Sequence, residues 1–279
     1  MDKKQIRWLG AYFLLDGLLT LSLGRKYVRL FRFGRRKSLY RRLIEWMLDL
    51  PAWQLRGAGA AEAGLGLAVL SRAPLDAPAL YRQVAAGYAA IDPGWRNWFY
   101  PQAHQAFDRA LSMSLPDGGE VLDLGCGVGA NLARLRELNL PFGSYTGVDL
   151  SDAMLERAEE RYGHLQGVKF QLLDLMHDPL PVGSYDLILS TWAFEHLADP
   201  VHVAEKAWGR LKPGGRMILL FEDQAPSFLS RLVGWIYTGY LEAHLVPESE
   251  YRRFPGQVVL ESHFSGPVGD LALLVLEKE

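Results

Sequence analysis

The chain has 279 residues, about half of them hydrophobic (49%), which is long enough for one large α/β domain with a smaller appendage and predicts a single catalytic core. Its net charge of −2 conceals an asymmetry, because the positive charge is concentrated near the N-terminus. The single cysteine, Cys126, excludes an intrachain disulfide, and nothing in the composition argues for an oxidising compartment, so a reduced cytoplasmic setting fits.

Residues Met1 to Arg7 are polar and basic, and Trp8 to Gly24 are apolar apart from Asp16 and Ser22. A basic start, an apolar stretch and small residues at its end fit a secretory signal. A transmembrane helix needs about 20 apolar residues, and this run falls slightly short with an acid near its middle. The third reading is a helix at, or shallowly inserted in, a membrane surface. The next segment contains Arg25, Lys26, Arg29, Arg32, Arg35, Arg36, Lys37, Arg41 and Arg42, with no acid, interleaved with Tyr27, Leu30, Phe31, Phe33 and Leu39. Anionic lipid headgroups are its natural partner. Nucleic acid is an alternative, but the segment follows an apolar run and lacks a recognised nucleic-acid-binding fold. A plainly solvated basic face is a third possibility.

After Pro51, the stretch from Trp53 to Leu70 is rich in glycine and alanine and suited to close helix pairing. Two apolar helices thus flank a basic connector. This front section resembles a family of short bacterial inner-membrane proteins built from two apolar helices, the acid–glycine pair being Asp16-Gly17 and the arginine–glycine pair Arg56-Gly57. The positive-inside rule keeps the connector cytoplasmic, yet two full crossings would then place the rest of the chain outside. A membrane-associated hairpin dipping into the cytoplasmic leaflet resolves the conflict. A soluble helical cap is the alternative. From Pro74 to Pro93 the composition turns to Ala, Pro and Asp, so residues 1–72 are read as the hairpin, 73–110 as a linker with helices covering a ligand site, and 111–279 as the main domain.

Within that domain, the run from Glu120 to Asn131 (EVLDLGCGVGAN) reads as a buried strand, a glycine turn and the first turn of a helix. Val121, Leu122 and Leu124 form the short apolar run of a strand covered on both faces, while Gly125, Gly127 and Gly129 have no Cβ to keep a ligand from the backbone. Such a turn, opening onto a helix N-terminus, presents N–H groups that suit a phosphate or a carboxylate. The spacing of Gly125, Gly127 and Ala130 also fits the dinucleotide fingerprint. Asp123 favours a different ligand, since it would repel a pyrophosphate and hold an ammonium group.

The run from Val121 to Gly129 resembles the first motif of class I S-adenosylmethionine-dependent methyltransferases, and the sequence from Leu211 to Gly215 (LKPGG) is a second match to that family. The resemblance implies a doubly wound, Rossmann-like α/β sheet of seven strands, the last one antiparallel, with S-adenosyl-L-methionine as cofactor. It also implies a set of cofactor residues. Asp123, Gly125, Cys126 and Gly127 would hold the donor at the first strand, and Asp149 with Leu150, ending the second, would receive the ribose hydroxyls. Asp174 and Leu175, after the third, would meet the adenine, and Tyr88 would cover the site. Thr191 and Trp192 leave the fourth strand toward the reacting methyl group. Ser151 is a predicted helix N-cap, with Met154, Leu155 and Ala158 on the core face. Glu195 and His196 are the catalytic candidates, His196 as the base for an acceptor hydroxyl. Some quinone O-methyltransferases of similar sequence bind a metal through two glutamates and a histidine, but Trp192 stands where the first glutamate would be, so no metal is expected. The aromatic stretch between Ala225 and Pro247 is predicted as a helix lining an apolar acceptor pocket.

An intracellular cofactor argues against export, so the sequence predicts a methyltransferase at the cytoplasmic face of a membrane, acting on a small apolar or lipid-like acceptor. A nucleotide-dependent oxidoreductase and a non-catalytic cofactor-binding membrane protein remain as alternatives.

Overall fold

The computed structural model describes residues 3–32, 39–70, 100–223, 245–265 and 270–279. The chain divides into two compact units, Met1–Pro74 and Leu75–Glu279.

In the first unit, α1 (Lys3–Leu23) packs along α4 (Ala52–Leu70), with α2 (Arg25–Val28), a 3-10 turn (Arg29–Phe31) and α3 (Leu39–Asp49) between them in sequence. Glycine makes this pairing possible: a Cβ on Gly17 would lie 2.3 Å from the Ala63 amide nitrogen, and one on Gly66 equally close to that of Leu14. The two backbones therefore touch directly. With small residues spent on the seam, large apolar ones are left outside, and Tyr12, Leu15, Leu18, Leu30, Trp46 and Trp53 are exposed. Val28 of α2, Ile44 of α3 and Leu55 of α4 form a small core. Beside the seam, the Tyr27 hydroxyl donates to Asp16. Burial, together with the charge of Asp16, pushes the Glu62 carboxyl up to about 7. Among the described residues, no helix is long and apolar enough to cross a membrane.

The second unit is a seven-stranded sheet of order β3-β2-β1-β4-β5-β7-β6. Its strands are β1 (Gly119–Leu124), β2 (Phe142–Asp149), β3 (Val168–Leu172), β4 (Tyr185–Thr191), β5 (Leu211–Asp223), β6 (Gln257–Ser265) and β7 (Asp270–Glu277), and β7 runs antiparallel to both its neighbours. Successive side chains of β1 enter different cores, as the period of two demands. Val121 packs with Tyr145, Leu187 and Leu189 under helices α5 (Pro101–Ser114) and α6 (Ala130–Glu137), while Leu122 and Leu124 pack with Ile188 under α8 (Pro200–Trp208) on the other face. Helix α7 (Asp152–Tyr162) is capped by the Ser151 hydroxyl, which accepts from the Met154 amide at 3.4 Å, and it buries Met154, Leu155 and Ala158 as predicted.

The Leu211–Gly215 motif lies inside β5, although its Pro-Gly-Gly reads in the sequence as a turn before the strand. Tyr185 pairs with Leu211 but Leu187 with Arg216, so these residues form an outward excursion that Gly214 permits at φ +75°. Lys212 ties the excursion down by pairing with Asp186 at 2.8 Å and Glu120 at 3.1 Å. The predicted aromatic helix from Ala225 falls on residues 224–244, outside the described residues, as does Tyr88. Its expected last residues, Leu245 to Pro247, are extended instead, because Val246 forms a parallel bridge with Asp223. One more strand-like contact at the sheet's carboxyl edge satisfies this backbone better than a further helical turn would.

Candidate cofactor and active site

A cavity of about 280 Å³ opens at the carboxyl ends of β1, β2 and β4, where ligands bind in open α/β sheets. The glycine turn forms its floor. Gly125, Gly127 and Gly129 all have φ between +53° and +80°. Gly125 must lack a side chain, because a Cβ there would lie 2.4 Å from that of Ala193, whereas Gly127 has nothing within 4 Å and exposes bare backbone. The loop's amides, predicted to be offered to a ligand, are largely spent within the protein. Gly125 and Cys126 both donate to the Val148 carbonyl, at 2.8 and 2.9 Å, Gly129 donates to Cys126, and Gly127 donates to Asp149 Oδ2 at 2.8 Å. Cys126 is buried beneath the turn and lines the cavity, and burial holds its thiol well above the usual range.

Asp149 closes this arrangement. Its other oxygen, Oδ1, accepts from the Ser151 amide at 2.8 Å, so two amides from opposite sides fix the carboxylate in the cavity wall. Burial pushes its proton affinity up, and the amide hydrogen bonds work against that rise. Each oxygen keeps a lone pair for a ligand hydroxyl. Leu150 lines the cavity beside it. Asp174 and Leu175 line the far end. Burial raises the Asp174 carboxyl, but the His177 ring at 2.8 Å and the Met176 amide outweigh it and leave the group below its ordinary value.

Asp123 sits elsewhere than the sequence predicts. It points to the α5–α6 side of the sheet, is fully buried and is not among the cavity-lining residues. One of its oxygens accepts from Asn131 Nδ2 at 2.9 Å and the other from the Tyr145 hydroxyl. The strand alternation that buries Val121 on this face buries Asp123 with it. Asn131 stands in front of it, lines the cavity and accepts from the Thr191 hydroxyl at 3.3 Å. Asp123 thus holds Asn131 in the cavity wall.

Thr191 ends β4 and Trp192 follows it, and both line the cavity. Trp192 has φ +59°, an uncommon state for a bulky residue, held by its amide bond to Leu220 and by Tyr100, whose ring centroid is 5.8 Å away. The catalytic pair divides. The 3-10 turn Phe194–His196 advances about 120° per residue, so neighbouring side chains diverge. His196 lines the cavity, whereas Glu195 turns into the core, 2% exposed, and does not line it. Burial first, and then the charge of Glu222, hold the Glu195 carboxyl well above its usual range. Of the two catalytic candidates, only His196 is thus among the cavity-lining residues.

Three lining side chains, His104, Phe107 and Asp108, come from α5, which sequence motifs did not single out, and a fourth, Arg134, comes from α6. The His104 ring lies 6.4 Å from that of Trp192. The available signal was the amphipathic pattern of α5, whose buried Ala103, Phe107 and Leu111 fix which of its residues turn toward the sheet.

Residues 122–217, which include this loop and the strand ends around it, match the family model described as a methyltransferase domain. Over this stretch the chain is similar to methyltransferase domains. Its curated relatives include an uncharacterized 37.1 kDa transposon protein of Streptomyces fradiae, 37% identical over 153 residues that make up 54% of this chain and 44% of that protein. A ubiquinone biosynthesis O-methyltransferase of Marinobacter nauticus is 33% identical over 146 residues, 49% of this chain and 58% of the relative. The chain therefore spans about half the length of these relatives. Among solved structures, the N-methyltransferase NodS of Bradyrhizobium japonicum, in complex with S-adenosyl-L-homocysteine, shares the fold at a TM-score of 0.53 and 19% identity, covering 71% of this chain and 98% of that one. The second unit thus has the seven-stranded mixed sheet expected from the sequence, and shares it with this solved structure.

Proposed function

We propose that this chain transfers the methyl group of S-adenosylmethionine to a small apolar or lipid-like acceptor, such as a quinone, a lipid headgroup or a hydrophobic metabolite, at a membrane surface. The observation that carries the donor assignment is Asp149, a carboxylate held by two amides at the end of β2 and turned into the cavity, where it suits the two hydroxyls of a ribose. The spent loop amides favour the same donor over a dinucleotide, because a pyrophosphate needs N–H groups that Gly125, Cys126, Gly127 and Gly129 already give away. When bound, the sulfonium supplies a methyl group already activated by positive charge. The chain supplies position and dryness. Gly127 admits the donor to the backbone, Asp149 and Asp174 orient its nucleoside, and Asn131 and Thr191 fix the wall from which Trp192 projects. For a hydroxyl acceptor, His196 is placed to take the proton.

The acceptor class draws on the similarity to a ubiquinone biosynthesis enzyme and on the apolar character of the wall that includes Phe107, Trp192 and Leu197. The membrane location draws on the first unit, where Leu15, Leu18, Leu30 and Trp53 are exposed along with the basic Arg25, Lys26 and Arg29.

Calorimetric titration tests the donor. S-adenosylmethionine is expected to bind in the micromolar range and NADH not to bind; binding of NADH alone would overturn the assignment. The location is tested by sedimentation with phosphatidylglycerol vesicles. Reversing Arg25, Lys26 and Arg29 to glutamate should weaken association at least about tenfold, since each basic residue near an anionic surface contributes about 1 kcal/mol. Unchanged sedimentation would remove the membrane from the proposal.

A further inference from the structure

We infer that Lys206 is a positioning residue of the donor site: from α8 it clamps the turn Asp174 to Asp178, which forms the wall at one end of the cavity. That role rests on the reading that the cavity holds S-adenosylmethionine with its base at Asp174. Four consecutive residues, Asp174, Leu175, Met176 and His177, line the cavity, so the place of this turn sets what the base meets. The turn closes on its own atoms. Asp174 Oδ1 accepts from the Met176 amide at 2.8 Å, and Oδ2 lies 2.8 Å from the His177 ring nitrogen. The Asp178 amide donates to the Asp174 carbonyl at 2.8 Å, and the Asp178 carboxylate accepts from the Asp174 amide at 2.9 Å. These bonds fix the shape of the turn but tie it to no other part of the chain.

Lys206 supplies the tie. Its ammonium donates to the Leu175 and Asp178 carbonyls, both at 2.7 Å, across 31 and 28 positions of sequence. A cation with three rotatable donors can take two diverging carbonyls at once, and bonds from a charged donor are about twice as strong as neutral ones. The helix that carries it belongs to the site as well. It starts at Pro200, directly after the segment in which His196, Leu197 and Ala198 line the cavity, and its Val203 and Ala207 share a core with Leu175. The clamp therefore refers the nucleoside wall to the same support that places His196. Asp174, held in this way, keeps a lone pair on each oxygen for the amino group of the base.

Two ligands isolate the base: S-adenosylhomocysteine, and S-inosylhomocysteine, in which an oxo group replaces the amino group. By calorimetry the wild-type protein should prefer the former at least about 30-fold, because the analogue leaves the Asp174 carboxylate without its donor. Lys206→Met should weaken S-adenosylhomocysteine about tenfold and S-inosylhomocysteine less than about threefold, while amide exchange at Met176 and Asp178 speeds up about tenfold. Lys206→Arg, which keeps the charge and the donors, should recover part of both effects. Lys206→Gln, which keeps a polar stem without the charge, should shift the ratio in the same direction and serves where the methionine variant does not fold. An unchanged ratio, an equal loss of both ligands, or unaltered exchange in the turn would overturn the assignment. If the wild-type protein binds the two ligands equally, the clamp falls and the donor reading survives; if it binds neither, both fall.

Discussion

Asp149→Ala is expected to weaken S-adenosylmethionine binding at least about 100-fold, close to 3 kcal/mol, which is what a carboxylate accepting two hydroxyl hydrogen bonds supplies in a partly buried site. The loss has two sources. The ribose loses its acceptors, and the Gly127 and Ser151 amides lose the oxygens that hold the glycine turn against β2. Asp149→Asn separates them, because one amide oxygen keeps half of the acceptors while the other position becomes a donor facing an N–H group. Its affinity should fall nearly as far, with a smaller change in melting temperature than for alanine. Calorimetry and thermal unfolding on the same preparations read both effects. A loss of less than about fivefold in Asp149→Ala would remove this residue from the cofactor site.

Asp123 carries the second large effect, and it is an effect on stability. Asp123→Ala should cost about 3 kcal/mol in urea unfolding, since it leaves the Tyr145 hydroxyl and Asn131 Nδ2 without their shared acceptor and opens a small cavity. The penalty should depend on pH. Burial first, opposed by the Tyr145 and Asn131 hydrogen bonds, pushes the Asp123 carboxyl from 3.8 up to about 6. A carboxyl raised on folding contributes stability that is fully present below its unfolded value and is lost as pH rises through its folded one. The difference between wild type and variant should therefore be larger at pH 4 than at pH 8, by an amount on the order of 3 kcal/mol. A difference that grows with pH, or a penalty below about 1 kcal/mol at pH 4, would show that the three side chains do not act as a unit.

What could be read without coordinates followed from local rules. The apolar run through Val121 and Leu124, the glycines after it and the acid ending β2 each report their own surroundings, and the fold, the floor of the cavity and the place of Asp149 follow from them. What escaped was set by contacts distant in sequence. Asp108 and Arg134 are 26 positions apart and meet only once α5 and α6 lie side by side. Asp123 was assigned to the ligand because its neighbours are loop residues, yet strand alternation aims it at Tyr145, 22 positions on. Glu195 and His196 look like a pair in the sequence, but a single 3-10 step parts them, one into the core and the other into the cavity. The antiparallel place of β7 was implied by the resemblance, whereas the excursion at Lys212 was not legible, because a strand resuming in register after a turn looks locally like a turn before a strand.

The glycine turn is complete before any ligand arrives: its amides are bonded to Val148, Asp149 and Cys126, and the carboxylate beside it is clasped from both sides. Nothing there waits for the methyl group. The groups that would grip the donor, Asp149 and Asp174, address its nucleoside, which the demethylated by-product retains unchanged, so the protein should hold that by-product nearly as firmly as the donor. Turnover would then be throttled by its own spent cofactor, and a sustained rate would depend on a second activity that destroys the by-product as it leaves. Adding an S-adenosylhomocysteine-cleaving enzyme to the assay should straighten progress curves that otherwise bend within the first few turnovers.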